Sequence, residues 1–181
     1  MKIPAKTISK NGFTLVELLV VIAIIAVLAA AGFTMGNAAK EKAKRTSAQA
    51  AATSLVKAID EFYSEYSALP DVGAAEVNTG NGTLLNILAG REAGPNIQND
   101  RKIRFLSMKE AKNGNQDGLV YNAAGTLVEG LYDPWGQPYN VVLDIQYDER
   151  LEFTAAGTAV VLNGRRAAAY STGGGTLVKS W

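Results

Sequence analysis

The chain has 181 residues, with 18 Lys and Arg against 17 Asp and Glu, a net charge of +1, and neither His nor Cys. Those two absences remove Ser-His-Asp and Cys-His nucleophiles, histidine and thiolate metal ligands, and any disulfide framework; the near-neutral balance argues against a nucleic-acid partner. Length allows one domain plus an appendage, and no paired carboxylates or phosphate-binding glycine loop stand out, so no catalytic residues are expected and the chain reads as a non-enzyme.

Residues 1–12 hold Lys2, Lys6 and Lys10 and no acid, the pattern of the charged region of an export signal. Without them the side chains sum to 15 basic against 17 acidic, or −2. From Phe13 to Met35, 23 residues carry a single charge, Glu17. At about 1.5 Å per residue a helix of that length reaches roughly 35 Å, enough for a hydrocarbon core of about 30 Å, so 13–36 is predicted to span a membrane. An ordinary secretory signal would have a shorter apolar region closed by a small-residue cleavage site. Lys40, Lys42, Lys44 and Arg45 against Glu41 give +3 beyond the run, so flanking charge leaves the orientation undecided. A carboxylate inside such a run costs about 2.5–3.5 kcal/mol on insertion scales, and a plain tether would gain from Leu at the same place. Either Glu17 pairs with a cation, or it lies near the interface and snorkels.

Residues 37–66 contain neither Pro nor Gly and are rich in Ala, Lys, Glu and Leu, so the helix is predicted to continue to Tyr66 as a stem, 37–69, that Leu69-Pro70 ends. Leu55, Ile59, Phe62 and Tyr66 share one face, which should pack on the globular part. Gly32 and Gly36 form a G-x-x-x-G spacing that permits close helix packing or softens the helix. Residues 70–118 read as an irregular connection, with a helical turn or two at Thr83–Leu88 ended by Gly90. Arg101, Lys102 and Arg104 there, like Lys40–Arg45, read as solvated basic patches. Across 119–181 short β-prone runs predict an antiparallel sheet, with strands near 137–145, 151–153, 159–162 and 165–171 and a two-residue hairpin at Asn163-Gly164 joining the last two. The fold class is α+β: a long N-terminal helix packed on a small antiparallel sheet.

The basic leader, Gly12, then Phe13-Thr14-Leu15-Val16-Glu17 and a Leu/Val/Ile/Ala run resemble the class III signal of type IV pilins and type II secretion pseudopilins. The resemblance implies that a prepilin peptidase cuts between Gly12 and Phe13 on the cytoplasmic side and methylates the new amine of Phe13. It also implies a single inner-membrane pass with the head in the periplasm, followed by polymerisation of the chain with itself into a periplasmic pseudopilus or a surface pilus. Phe13, Thr14 and Glu17 would then lie at the subunit contacts, Glu17 pairing with the freed amine of a neighbour. Implied partners are the inner-membrane assembly platform and minor pseudopilins.

Asp133-Pro134-Trp135-Gly136-Gln137-Pro138-Tyr139 resembles the D-P-W-G-x-P-Y run that leads into the sheet of major pseudopilins. Chemically it is a turn: Asp133-Pro134 sets it, Trp135 anchors it, and Gly136 permits an unusual backbone angle. Ala168-Ala169-Tyr170-Ser171-Thr172-Gly173 and Lys179-Ser180-Trp181 are similar to that family's C-terminal end. Between them the family carries an Asp-rich calcium loop, whereas Gly173–Val178 has no carboxylate, so neither metal nor cofactor is expected. Asp144, Asp148, Glu149 and Glu152 form a separate acidic group, read as a solvated hairpin. The reading from these residues is a pseudopilus subunit for type II secretion. A type IV pilin is the alternative, and a membrane-tethered periplasmic binding protein or enzyme is the rival from another class.

Overall fold

The computed structural model describes residues 13–112 and 114–181, leaving the side chains of 31–36 undescribed. The leader and Gly12 lie outside the described residues, as do the side-chain surroundings of the Gly32–Gly36 spacing. The chain divides into two compact units, Met1–Lys42 and Ala43–Trp181.

A single helix, α1, runs over Leu15–Tyr66, as its unbroken run of helix formers predicts. In the first unit every described residue from Phe13 to Ala30 is exposed, and all but Thr14, Glu17 and the alanines are large and apolar. Among the described residues no helix is long and apolar enough to cross a membrane.

In the second unit α1 buries a stripe of Ala48, Ala52, Leu55, Ile59 and Phe62, at spacings of four and three that keep one face inward. Tyr66, expected on that face, is half-buried and donates its hydroxyl to Asn99 Oδ1 at 2.9 Å. The helix stops at Ser67, whose φ of 55° breaks the helical geometry and whose N–H returns to Tyr63 O at 2.7 Å. Beyond it come β1 (Glu76–Asn78) and the short helix α2 (Thr83–Leu88), which drives Leu84, Leu85, Ile87 and Leu88 into the core. Gly90, with φ 64°, ends that helix region. The strands that follow are β2 (Gly118–Tyr121), β3 (Val128–Tyr132), β4 (Asn140–Leu143), β5 (Arg150–Ala155), β6 (Thr158–Asn163), β7 (Ala167–Ser171) and β8 (Val178–Lys179).

The strands form three antiparallel sheets rather than one: a four-stranded sheet in the order β1-β4-β7-β8 and the pairs β2-β3 and β5-β6. Alternation along the four-stranded sheet explains why it is buried on both faces. Val141, Leu143, Ala167 and Ala169 join the α1 and α2 core, while Val142, Ala168 and Tyr170 point the other way, onto Leu151 and Ala155 of β5. Small alanines on the α1 side let helix and sheet approach closely. The unit is therefore layered as helix, sheet and hairpin.

The hairpin expected at Asn163-Gly164 is not formed. β6 pairs back with β5 through the two-residue turn Ala156-Gly157, and β7 pairs with β4 and β8. Both turn residues have positive φ, 50° and 78°. Ala156 carries a steric cost there that an Asn would avoid, so the local residues hold no turn signal to read. Gly164 instead serves the crossover, donating its N–H to Glu149 O at 2.7 Å.

Candidate functional site at the start of the long helix

Phe13 and Thr14 precede the first turn of α1 and Glu17 falls in it. Thr14 Oγ1 accepts from the Glu17 amide at 3.3 Å, while Glu17 Oε2 accepts from the Thr14 amide at 2.8 Å and the Thr14 hydroxyl at 2.7 Å. Leu18 N–H closes the first helical bond onto Thr14 O at 3.2 Å. This is a reciprocal capping box: residue and partner satisfy amides that a helix start leaves without intrahelical acceptors. A negative side chain at this end also meets the positive pole of the helix dipole. Glu17 thus has a role inside its own chain that its reading as an energetic anomaly missed. The signal was present, since Thr14-Leu15-Val16-Glu17 is T-x-x-E directly ahead of an apolar run. Both bonds end on Oε2, and a carboxylate offers about four lone-pair sites, so Oε1 keeps acceptor capacity for a further donor. Phe13 is 82% exposed.

The Asp133–Gly136 segment sits elsewhere, between β3 and β4. Asp133 is fully buried. Its Oδ1 accepts from the amides of Trp135 at 2.8 Å and Gln137 at 2.9 Å, and its Oδ2 accepts from the Ser171 hydroxyl. Its own N–H goes to Gln137 O at 2.8 Å, and its carbonyl accepts from Gly136 and Asp117. Such a carboxylate, ringed by donors, is held by the turn it organises. Gly136 has φ 87°, a conformation a side chain would strain. Trp135 is half-buried beneath Gly173–Gly175, with Lys44 Nζ 5.9 Å from its ring centroid. The turn and the glycine segment are one assembly, joined through Ser171, a residue the sequence reading passed over.

Asp144, Asp148, Glu149 and Glu152 lie around the β4-β5 connection. Asp144 is buried and accepts from the amides of Asp148 at 3.3 Å and Glu149 at 2.7 Å. Glu152 pairs with Arg150, and Glu149 faces Arg166 at 3.5 Å. Among the described residues no group of three or more carboxylates is arranged to hold a metal ion. Of the basic residues near 101–104, Arg101 pairs with Glu65 on α1.

Residues 8–35 match the family described as the prokaryotic N-terminal methylation motif. No curated protein and no solved structure matches the chain. The matched stretch contains Phe13, Thr14 and Glu17 and covers the apolar run to its end at Met35. The chain therefore carries the type IV pilin-like methylation signal, which marks pilin-type structural proteins exported to the cell envelope.

Proposed function

We propose that the chain is a structural subunit of a pilus-like filament. Prepilin peptidase processes it between Gly12 and Phe13 and methylates Phe13, and residues 13–36 insert in the inner membrane. The observation that carries this reading is the methylation motif over 8–35. Exposure of the apolar residues from Phe13 to Ala30 supports it, because a surface of that kind needs lipid or neighbouring helices to cover it. Glu17 then serves assembly: its second oxygen receives the amine of a neighbouring subunit while the first holds the cap. A cut before Phe13 leaves that cap whole, since the Thr14 amide remains a peptide N–H.

Within this class the D-P-W-G-x-P-Y run at 133–139 favours a type II secretion pseudopilus over a type IV pilus, with the assembly platform and minor pseudopilins as partners. The test is mass spectrometry of the mature chain purified from a host that contains prepilin peptidase. The expected species begins at methylated Phe13. An intact Met1, or an unmethylated terminus at another position, would reduce the segment to a tether and remove the filament role.

A further inference from the structure

In the second unit, four large apolar residues are exposed among those described: Ile97 at 38%, Ile145 at 52%, Tyr147 at 53% and Val161 at 52%. Two of them, Ile145 and Tyr147, line one groove of about 460 Å³ with Phe62, Tyr66, Leu69 and Pro70. The loop that presents them is held in a costly shape. Tyr147 and Glu149 both have φ of 57°, a region bulky residues rarely adopt. Asp144 fixes the loop through the Asp148 and Glu149 amides, and the Leu69 N–H donates to the Tyr147 hydroxyl at 3.1 Å. On its other side Ile145 borders a cleft of about 330 Å³ lined by Asp144, Asp148 and Glu152. Over 144–152 four acids face one Arg, a net charge of −3.

Aromatic faces beside carboxylates recognise Lys and Arg, whose stems lie on apolar surface while their heads reach the charge. The chain already uses that chemistry internally: Arg166 lies 4.4 Å from the Tyr63 ring centroid, next to the same loop. A matching segment exists elsewhere in the chain. Lys40–Arg45 carries +3 with alanines between its charges, and Lys40, Lys42 and Arg45 are exposed. Lys44 and Tyr63 are separated by roughly 28 Å along α1, so the two surfaces of one copy are well apart. Two complementary, non-overlapping surfaces on one chain make a heterologous contact that propagates copy to copy.

We propose that the acid-rimmed groove at 144–152 docks the Lys40–Arg45 segment of a second copy of this chain. The inference rests on the filament reading and adds the contact that sets which copies are neighbours. Charge supplies selectivity and register here, and the apolar groove supplies contact area. Raising ionic strength should weaken it, because exposed charges lie within reach of screening.

Because the chain has no Cys, single substitutions give a clean cross-linking background. The full-length mature chain carrying Lys42→Cys and Asp148→Cys, oxidised in detergent micelles, should form a ladder of multimers, with each single variant stopping at dimers. In cells, Lys40→Glu with Lys42→Glu should lower filament yield about tenfold, as should Asp148→Lys with Glu152→Lys; combining the four should restore most of it. Far-UV circular dichroism of each purified variant checks that the head is folded. Filaments that form normally with either reversed patch would overturn the docking. So would loss that the combination does not rescue, the result expected if the basic segment meets anionic lipid instead. A ladder in micelles without filaments in cells would keep the docking and remove the filament reading.

Discussion

Replacing Gly174 by Ala tests whether the glycine segment 173–175 is shaped by the indole beneath it. Gly174 has φ 68°, and a Cβ built there would lie 2.5 Å from Trp135 Cε2, 2.7 Å from Cζ2 and 2.9 Å from Nε1. Two costs follow. A left-handed alanine costs roughly 1–2 kcal/mol, and forcing a methyl into a filled site costs a further 1–3 kcal/mol or so. Gly175 separates them, because its φ of 72° is alike while a Cβ there would meet nothing within 4 Å. Gly175→Ala should therefore lose only the backbone part, and Gly174→Ala about 2–5 kcal/mol in all. At roughly 2–4 °C per kcal/mol for a chain of this size, the two melting temperatures should differ by several degrees.

The assay is urea or thermal unfolding of the full-length chain in micelles, followed by the fluorescence of Trp181. That ring stands edge-on to Phe153 and Tyr170 at 5.5 and 6.3 Å and so reports the packed state. Trp135→Leu removes the obstruction, so the double variant Gly174→Ala with Trp135→Leu should lose less than the two single losses added, by about 1 kcal/mol or more. Equal midpoints for Gly174→Ala and Gly175→Ala, or strict additivity with Trp135→Leu, would refute the reasoning.

Thr79 is fully buried; its hydroxyl donates to Leu131 O and accepts from Tyr139 N–H, both at 2.8 Å, so it ties β3 to the start of β4. Thr79→Val should cost about 1–3 kcal/mol in urea unfolding by orphaning that amide, while Thr79→Ser retains the hydroxyl and loses less. Burial raises the phenols of Tyr66, Tyr139 and Tyr170: Tyr170 reaches about 12, helped by its bond to Glu76 at 2.8 Å, and Asp133 and Asp117 add to the shift at Tyr139. Because the folded pKa lies above the unfolded one near 10, the fold favours the neutral phenol, and this stability is intact below about pH 10 and lost as pH rises towards 12. Absorbance at tyrosinate wavelengths should show part of the seven tyrosines ionising only with the loss of far-UV signal; full ionisation of a folded chain by pH 10 would contradict this.

Long-period features were legible from sequence and two-residue features were not. The helix over 15–66 follows from propensity and a repeated four-three spacing, and Leu55, Ile59 and Phe62 are buried as that spacing requires. Thr83–Leu88 and its stop at Gly90 follow from a compact apolar run and a glycine. Strand partners depend on which turns form. Asn163-Gly164 has the better local chemistry, yet the pairing of Leu151 with Leu162 and of Glu152 with Val161 aligns β5 with β6 and leaves β7 to fill the sheet between β4 and β8. Tertiary burial of Ala167–Ser171 on both faces outweighed the local turn preference. β1 was missed because three residues, Glu76–Asn78, are too short to show alternation. At the candidate site the residue types were legible, and the capping geometry was hidden by attention to one expensive charge.

That geometry divides the role of Glu17 into two that can be measured apart. A cap needs an acceptor, and Gln serves that position in a capping box as Glu does. Pairing with an ammonium in a low-dielectric setting needs the negative charge, and losing one partner of such a pair costs about 3–5 kcal/mol, or roughly two to three orders of magnitude in the equilibrium. Glu17→Gln should therefore keep the helix start, with slow amide exchange at the first turn of the mature chain in micelles, yet lower incorporation into filaments by a large factor. Glu17→Leu should lose both, the cap being worth about 1 kcal/mol. If Glu17→Gln subunits assembled as well as the parent while Glu17→Leu subunits failed, the acceptor alone would matter, and Glu17 would be a helix cap that assembly requires rather than half of an ion pair.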